Sequence, residues 1–248
     1  MIMNDWAPLK RVTQARIGLA RAGAAVSTRA LLEFQLAHAQ ARDAVWHAWD
    51  ADACAKQLTA AGMRSAVVKT RAPDRGTYLK RPDLGRRLDP ACVPQLQALR
   101  SEPPADVALV LSDGLSATAV HEHGLHAVQA IAEALAAASL SCSPVILAER
   151  GRVALSDEIG HALGVRVALI VLGERPGLSA ADSLGLYLTY NPTPGNTDAQ
   201  RNCISNVREP SGLAPQLAAA RLTALVRRSL ALQLSGVQLK DDASQLSP

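Results

Sequence analysis

The alternation of apolar and polar positions changes character at Pro103-Pro104. Before it, from about residue 13 to residue 62, the chain is rich in Ala, Leu, Arg and Gln, all good helix formers. Leu31, Leu32, Phe34 and Leu36 are followed by Ala39, Val45, Trp46 and Trp49 at roughly helical spacing, and Ser27 is placed to cap a long helix. Residues 69–87 then break the pattern with Pro73, Gly76, Pro82 and Gly85. Seven basic side chains make this stretch a surface segment, either a plain solvated loop or a contact for something anionic.

After the prolines, short apolar runs alternate with helical stretches. Strands are predicted at residues 106–111 (DVALVL), 144–148 (PVILA) and 165–172 (VRVALIVL), with a fourth at 183–190. Helices are predicted at 115–139, 156–163 and 213–234. Unbroken Val/Ile/Leu runs suit parallel strands covered on both faces, and strand–helix–strand repetition implies right-handed crossovers. The expected fold class is therefore α/β: an open, mostly parallel, Rossmann-like sheet in residues 104–248, preceded by a mainly helical region in residues 1–103. In such a sheet a ligand sits beyond the carboxyl ends of the strands. That rule selects the turns after Leu111, Ala148 and Leu172. The polar end, residues 240–248, reads as frayed.

Composition narrows the function classes. The 26 basic and 22 acidic residues are spread along the chain without a Lys/Arg block, so no nucleic-acid arm is expected. The longest apolar runs are too short to span a bilayer, and no secretory apolar region opens the chain. Cys54, Cys92, Cys142 and Cys203 form no CxxC pair, so no zinc site is expected. His121, His123 and His126 (HEHGLH) lack the HExxH spacing of zinc hydrolases and read as a helix face. No GxGxxG or GxSxG segment occurs, so neither a nicotinamide cofactor nor an esterase-like nucleophile is indicated. No catalytic residue and no metal ligand is expected in this chain.

The three selected turns carry the remaining chemistry. SDGLSA (112–117) offers Gly114 for a tight turn and Ser112, Asp113 and Ser116 as caps, with free N–H groups that suit an anion. In ERGRVALSDEIG (149–160), Asp157 and Glu158 fall near a helix start and read as dipole partners. In GERPGLS (173–179), Glu174 stands at a strand end, either accepting hydrogen bonds from ligand amides or bridging to Arg175 or Arg152. RNCISNVR sets Cys203 among Asn202, Ser205 and Asn206, as a ligand contact or as a small buried apolar side chain.

TQARIGLARAG (13–23), TRALLEFQLAHAQARDAV (28–45), SDGLSA, GERPGL and RNCISN occur in one order, and together they resemble the small subunit of adenosylcobalamin-dependent ethanolamine ammonia-lyase. The similarity runs from about Pro8 to Asp241. It implies a C-terminal α/β domain similar to other cobalamin-binding domains, and an N-terminal region that contacts a large (β/α)8-barrel subunit. Cobalamin contacts carried over by position fall on Val153, Glu174 and Cys203. The resemblance also implies that the chain is inactive alone and closes the site made with the large subunit. An alternative is a cobalamin-binding carrier or regulatory module not joined to a lyase. Only about a dozen residues precede TQARIGL, so a cytoplasmic location is expected over a bacterial microcompartment.

Overall fold

The computed structural model describes residues 6–240 apart from Gln14 and Ala20. The tail 241–248, and those two positions within TQARIGLARAG, lie outside the described residues. A short hairpin, Arg21–Ala22 with Ala25–Val26, leads into helix α1, Thr28–Trp46. The Ser27 hydroxyl accepts from the Ala30 N–H at 3.3 Å, as the cap reading expects.

The long N-terminal helix is interrupted. Asp50, in an extended conformation, caps a second helix α2, Ala51–Ala60, through the Ala53 N–H at 2.9 Å. A short side chain that satisfies a backbone donor competes with helix continuation, and here it starts a new helix instead. The apolar face of α1 is also not buried. Only Ala37 and Ala44 are covered, while Leu31, Leu32, Phe34, Leu36 and Trp46 are exposed. Three short helices follow in the chain's order of packing: α3, Arg75–Lys80; α4, Val93–Ala98; and later α5, Leu125–Ala137.

The core is a six-stranded sheet. Its strands are β1, Ser65–Lys69; β2, Val107–Ser112; β3, Val145–Glu149; β4, Val167–Gly173; β5, Leu184–Tyr190; and β6, Arg201–Val207. The order across the sheet is β1-β3-β2-β4-β5-β6. The first four are parallel, and β5 and β6 add on antiparallel. The α/β architecture with an open, mostly parallel sheet is as expected, but two strands were not. The edge strand β1 comes from before Pro103-Pro104, so residues 65–69 of the N-terminal region belong to the same sheet. RNCISNV, to which the sequence assigned no element, is a strand as well.

Helices cover both faces of the parallel part. Val107, Leu109 and Leu111 pack toward α5 and the last helix, α7, Pro215–Leu232, whereas Ala108 and Val110 pack toward α4 and α6, Leu155–Leu163. Every residue of β2 and β4 is buried, which explains runs with no polar alternation. The stretch before α5 is not one helix. Ala117–Ala119 passes into a π-helical turn, Val120–Gly124. Among the described residues no helix is long and apolar enough to cross a membrane.

Candidate functional site

The parallel strands place three turns at one edge of the sheet, and the first is closed by its own packing. Gly114, at φ +50°, lies against the Gly173 backbone, where an added Cβ would sit 2.4 Å from the carbonyl oxygen. The Ser112 hydroxyl accepts from the Gly151 N–H at 2.9 Å, and the Asp113 carboxylate takes the Arg150 N–H and the Arg75 guanidinium, the latter at 2.9 Å. Ser116 alone caps the following turn, accepting from the Ala119 N–H at 3.1 Å. Burial pushes the Asp113 carboxyl up, opposed by Arg75 and the Arg150 N–H. A buried acid where a phosphate would sit makes this turn a structural junction between β2, β3 and β4.

The second and third turns frame an open surface. Beyond the start of α6, Cys203, Ser205 and Asn206 of β6 are exposed and Tyr187 of β5 is half-buried. Cross-strand register puts Tyr187 opposite Cys203. Both line a cleft of about 320 Å³ together with Val153, Arg152, Arg86 and Arg201. The structure thus brings Val153 and Cys203 to one cleft. Partial burial, with the nearby Glu174 carboxylate, pushes the Cys203 thiol up, opposed by the Tyr187 hydroxyl. The group is therefore a neutral thiol at neutral pH and not a thiolate.

Glu174 belongs to the same surface, one step along the strands. Register between β5 and β6 shifts between Leu184 and Leu186, and Asn206 adopts φ +58°. Such a bulge re-aims side chains. Here it brings the Ser205 hydroxyl to Glu174 Oε1 at 2.5 Å and the Asn206 N–H to Oε2 at 3.2 Å, while the Ser183 hydroxyl donates to Oε2 at 2.7 Å. Neither Arg175 nor Arg152 pairs with it, so the salt-bridge reading of the sequence does not hold. Gly185 makes room: a Cβ there would lie 3.0 Å from Glu174 Oε1. A carboxylate offers about four lone-pair sites, so three donors leave capacity for one more. Arg208 fixes the loop behind, donating to Asp182 at 3.0 Å and to the Ser179 carbonyl at 3.1 Å.

One feature of the site left no local trace in the sequence. Arg201 forms a bidentate pair with Asp157, both contacts at 2.7 Å, with side chains only 4% and 1% exposed. Asp157 is therefore more than a helix-dipole partner; it ties the start of α6, just after Val153, to β6 at the residue two before Cys203. Burial raises the Asp157 carboxyl, and Arg201 pulls it back. Glu158 has partners too, accepting from the Leu88 N–H at 2.6 Å and from Arg87 at 2.8 Å.

The three histidines do not converge. His121 meets the Ala48 carbonyl at 3.1 Å and His126 meets Gln216 at 2.6 Å, both exposed. His123 is half-buried beside Asp182 at 3.2 Å, not on a solvated face. Glu122, His123 and Asp182 lie within 4.8 Å of one another, but Asp182 is already paired with the Arg208 cation. A wider cleft of about 690 Å³ between Trp46–His47 and the 177–182 loop contains none of Val153, Glu174 and Cys203.

Comparison with known proteins identifies the family. The family model of the ethanolamine ammonia-lyase light chain matches residues 3–240. The chain is 50% identical to the ethanolamine ammonia-lyase small subunit of Azotobacter vinelandii over 242 residues, covering 97% of this chain and 89% of that protein. It is 51% identical to the small subunit of a Pseudomonas putida strain, with 97% and 89% covered, and 52% identical to that of a Pseudomonas fluorescens strain, with 97% and 87% covered. The chain belongs to the ethanolamine ammonia-lyase light chain family.

Proposed function

We propose that this chain works as the small subunit of an adenosylcobalamin-dependent ethanolamine ammonia-lyase, binding one face of the cobalamin and closing the site made with a large (β/α)8-barrel subunit. The observation that carries the reading is the continuity of the open β5–β6 surface. Val153 and Cys203 share a cleft, and Glu174 lies beside it on the same face. The surface suits a broad, amide-fringed macrocycle. Gly185 keeps it shallow, Cys203 and Val153 offer apolar contact, and Glu174 has an acceptor position to spare.

When bound, adenosylcobalamin supplies the radical chemistry that converts ethanolamine to acetaldehyde and ammonia; the protein's part is binding, orientation and exclusion of water. Glu174, held by Ser183, Ser205 and Asn206, is aimed without needing to reorganise when a ligand amide arrives. The Arg201–Asp157 pair keeps the Val153 turn and the Cys203 strand at fixed separation. No proton transfer is required of this chain.

A single open sheet covers only one side of a flat ligand, so a partner supplies the other. The exposed apolar positions of α1, Leu31, Leu32, Phe34, Leu36 and Trp46, form surface beyond what the chain itself buries. We assign the N-terminal region, residues 1–103, a role in that contact. Purified large and small subunits, mixed with adenosylcobalamin and ethanolamine, should release acetaldehyde, and neither alone should do so. Turnover by this chain alone, or full turnover by the large subunit alone, would overturn the proposal.

A further inference from the structure

Arg208, the residue after β6, is 7% exposed and lines neither of the two clefts described above. All three of its guanidinium nitrogens donate. Nε reaches the Asn206 side-chain oxygen at 3.2 Å, Nη1 reaches Asp182 Oδ1 at 3.0 Å and Nη2 reaches the Ser179 carbonyl at 3.1 Å. A planar fork thereby ties the end of β6 to the loop between β4 and β5 at two points. The chain folds closely over it. The Arg208 N–H donates to the Leu213 carbonyl at 3.1 Å, and a Cβ on Gly212 would lie 2.6 Å from Arg208 Cγ and 2.4 Å from the Asn206 carbonyl oxygen. A buried ion pair adds little stability over apolar side chains of the same volume, so what this one holds is the more informative property.

Two of the contacts fall on, or next to, the donors that hold Glu174. Asn206, at φ +58°, gives its N–H to Glu174 Oε2, and Ser183, which follows Asp182, gives its hydroxyl to the same oxygen. The Ser183 carbonyl also takes the Glu174 N–H at 2.9 Å. Asp182 is fixed from a second side, where its Oδ2 meets His123 Nε2 at 3.2 Å from the π-helical turn.

We infer that Arg208 is a positioning residue for the Glu174 carboxylate. Through Asn206 and through Asp182–Ser183 it sets two of the three donors, so Glu174 keeps one orientation before a ligand arrives. Without the fork, the β4–β5 loop and the end of β6 are no longer tied together. The ligand must then order the carboxylate as it binds, which lowers affinity although Glu174 itself is present. The inference rests on the proposed role of Glu174 toward cobalamin.

The test is a double-mutant cycle on the complex of this chain with a large subunit, read as the dissociation constant of adenosylcobalamin. Arg208→Met should weaken binding by about fivefold to tenfold. Arg208→Lys should weaken it by about threefold, because an ammonium keeps the charge beside Asp182 but cannot hold Asn206 and Ser179 as well. In the Glu174→Ala background both changes should alter affinity by less than about twofold, since the group they position is gone. A merely structural role would give the same fold loss with and without Glu174, whatever happens to Tm. Should Arg208→Met fail to fold, Arg208→Lys carries the cycle alone. Equal losses in both backgrounds, or unchanged affinity of the Arg208 variants with Glu174 present, would overturn the positioning role while leaving Glu174 in the site. No loss from Glu174→Ala itself would remove Glu174 from the site and the positioning role with it.

Discussion

Replacing Arg201 with Met leaves the Asp157 carboxylate buried and without its bidentate partner. Asp157 is 1% exposed, and the lost groups include both 2.7 Å contacts together with the donor to Thr189 at 3.0 Å. Breaking a buried pair on one side typically costs about 3–5 kcal/mol, because the remaining charge is uncompensated. For a chain of this size that corresponds to a fall in Tm of roughly 6–20 °C, measured by differential scanning calorimetry. The pH dependence identifies the cause. Burial already raises the Asp157 carboxyl, and without Arg201 the largest opposing influences are lost, leaving only the Thr189 hydroxyl to pull it down. The folded variant then takes up a proton at a pH where the unfolded chain, with an ordinary carboxyl near about 3.9, does not. Protonation therefore stabilises the folded variant as pH falls, and its deficit against the parent should shrink from about pH 8 to about pH 5. The second change Asp157→Leu should recover part of the loss at neutral pH. A deficit below about 1 kcal/mol, or one that does not change with pH, would refute the reasoning.

Glu174→Ala should weaken cobalamin binding by roughly one to two decades, the usual cost of a lost hydrogen bond to a charged group, with subunit assembly intact by gel filtration. Unchanged affinity would remove Glu174 from the site. Cys203→Ser should lower affinity modestly and leave turnover at saturating cofactor near the parent value, since the thiol is neutral and acts by packing; loss of turnover with cofactor fully bound would indicate a chemical role. Leu32→Asp with Leu36→Asp should leave the circular dichroism spectrum and Tm of this chain unchanged, because both side chains are exposed, yet abolish co-purification with the large subunit. Retained co-purification would place the contact elsewhere.

The strands legible in the sequence were those buried on both sides. Val107–Ser112, Val145–Glu149 and Val167–Gly173 are apolar almost throughout because helices cover them above and below. The two unforeseen strands are the edges. Ser65–Lys69 is short, with only Val68 fully covered, and Arg201–Val207 turns an open face to solvent, so its polar residues disguise it. The long helix expected after Ser27 carried its own break signal in Asp50, outweighed by the strong helix formers on either side. The site was legible only in outline. The strand-end rule selected the turns that hold Val153 and Glu174, but the assignment of Val153, Glu174 and Cys203 came from resemblance. Arg201–Asp157 and Arg152–Tyr78 join residues 44 and 74 positions apart, and no spacing along the chain announces such pairs.

The central claim is that this chain contributes binding surface to cobalamin, and equilibrium dialysis of adenosylcobalamin tests it most directly. The large subunit alone, this chain alone and their mixture would be compared, with the mixture repeated using Glu174→Ala. Tight binding by the mixture only, weakened by the substitution, is the predicted result. Equally tight binding by the large subunit alone, unaffected by adding either form of this chain, would contradict the account.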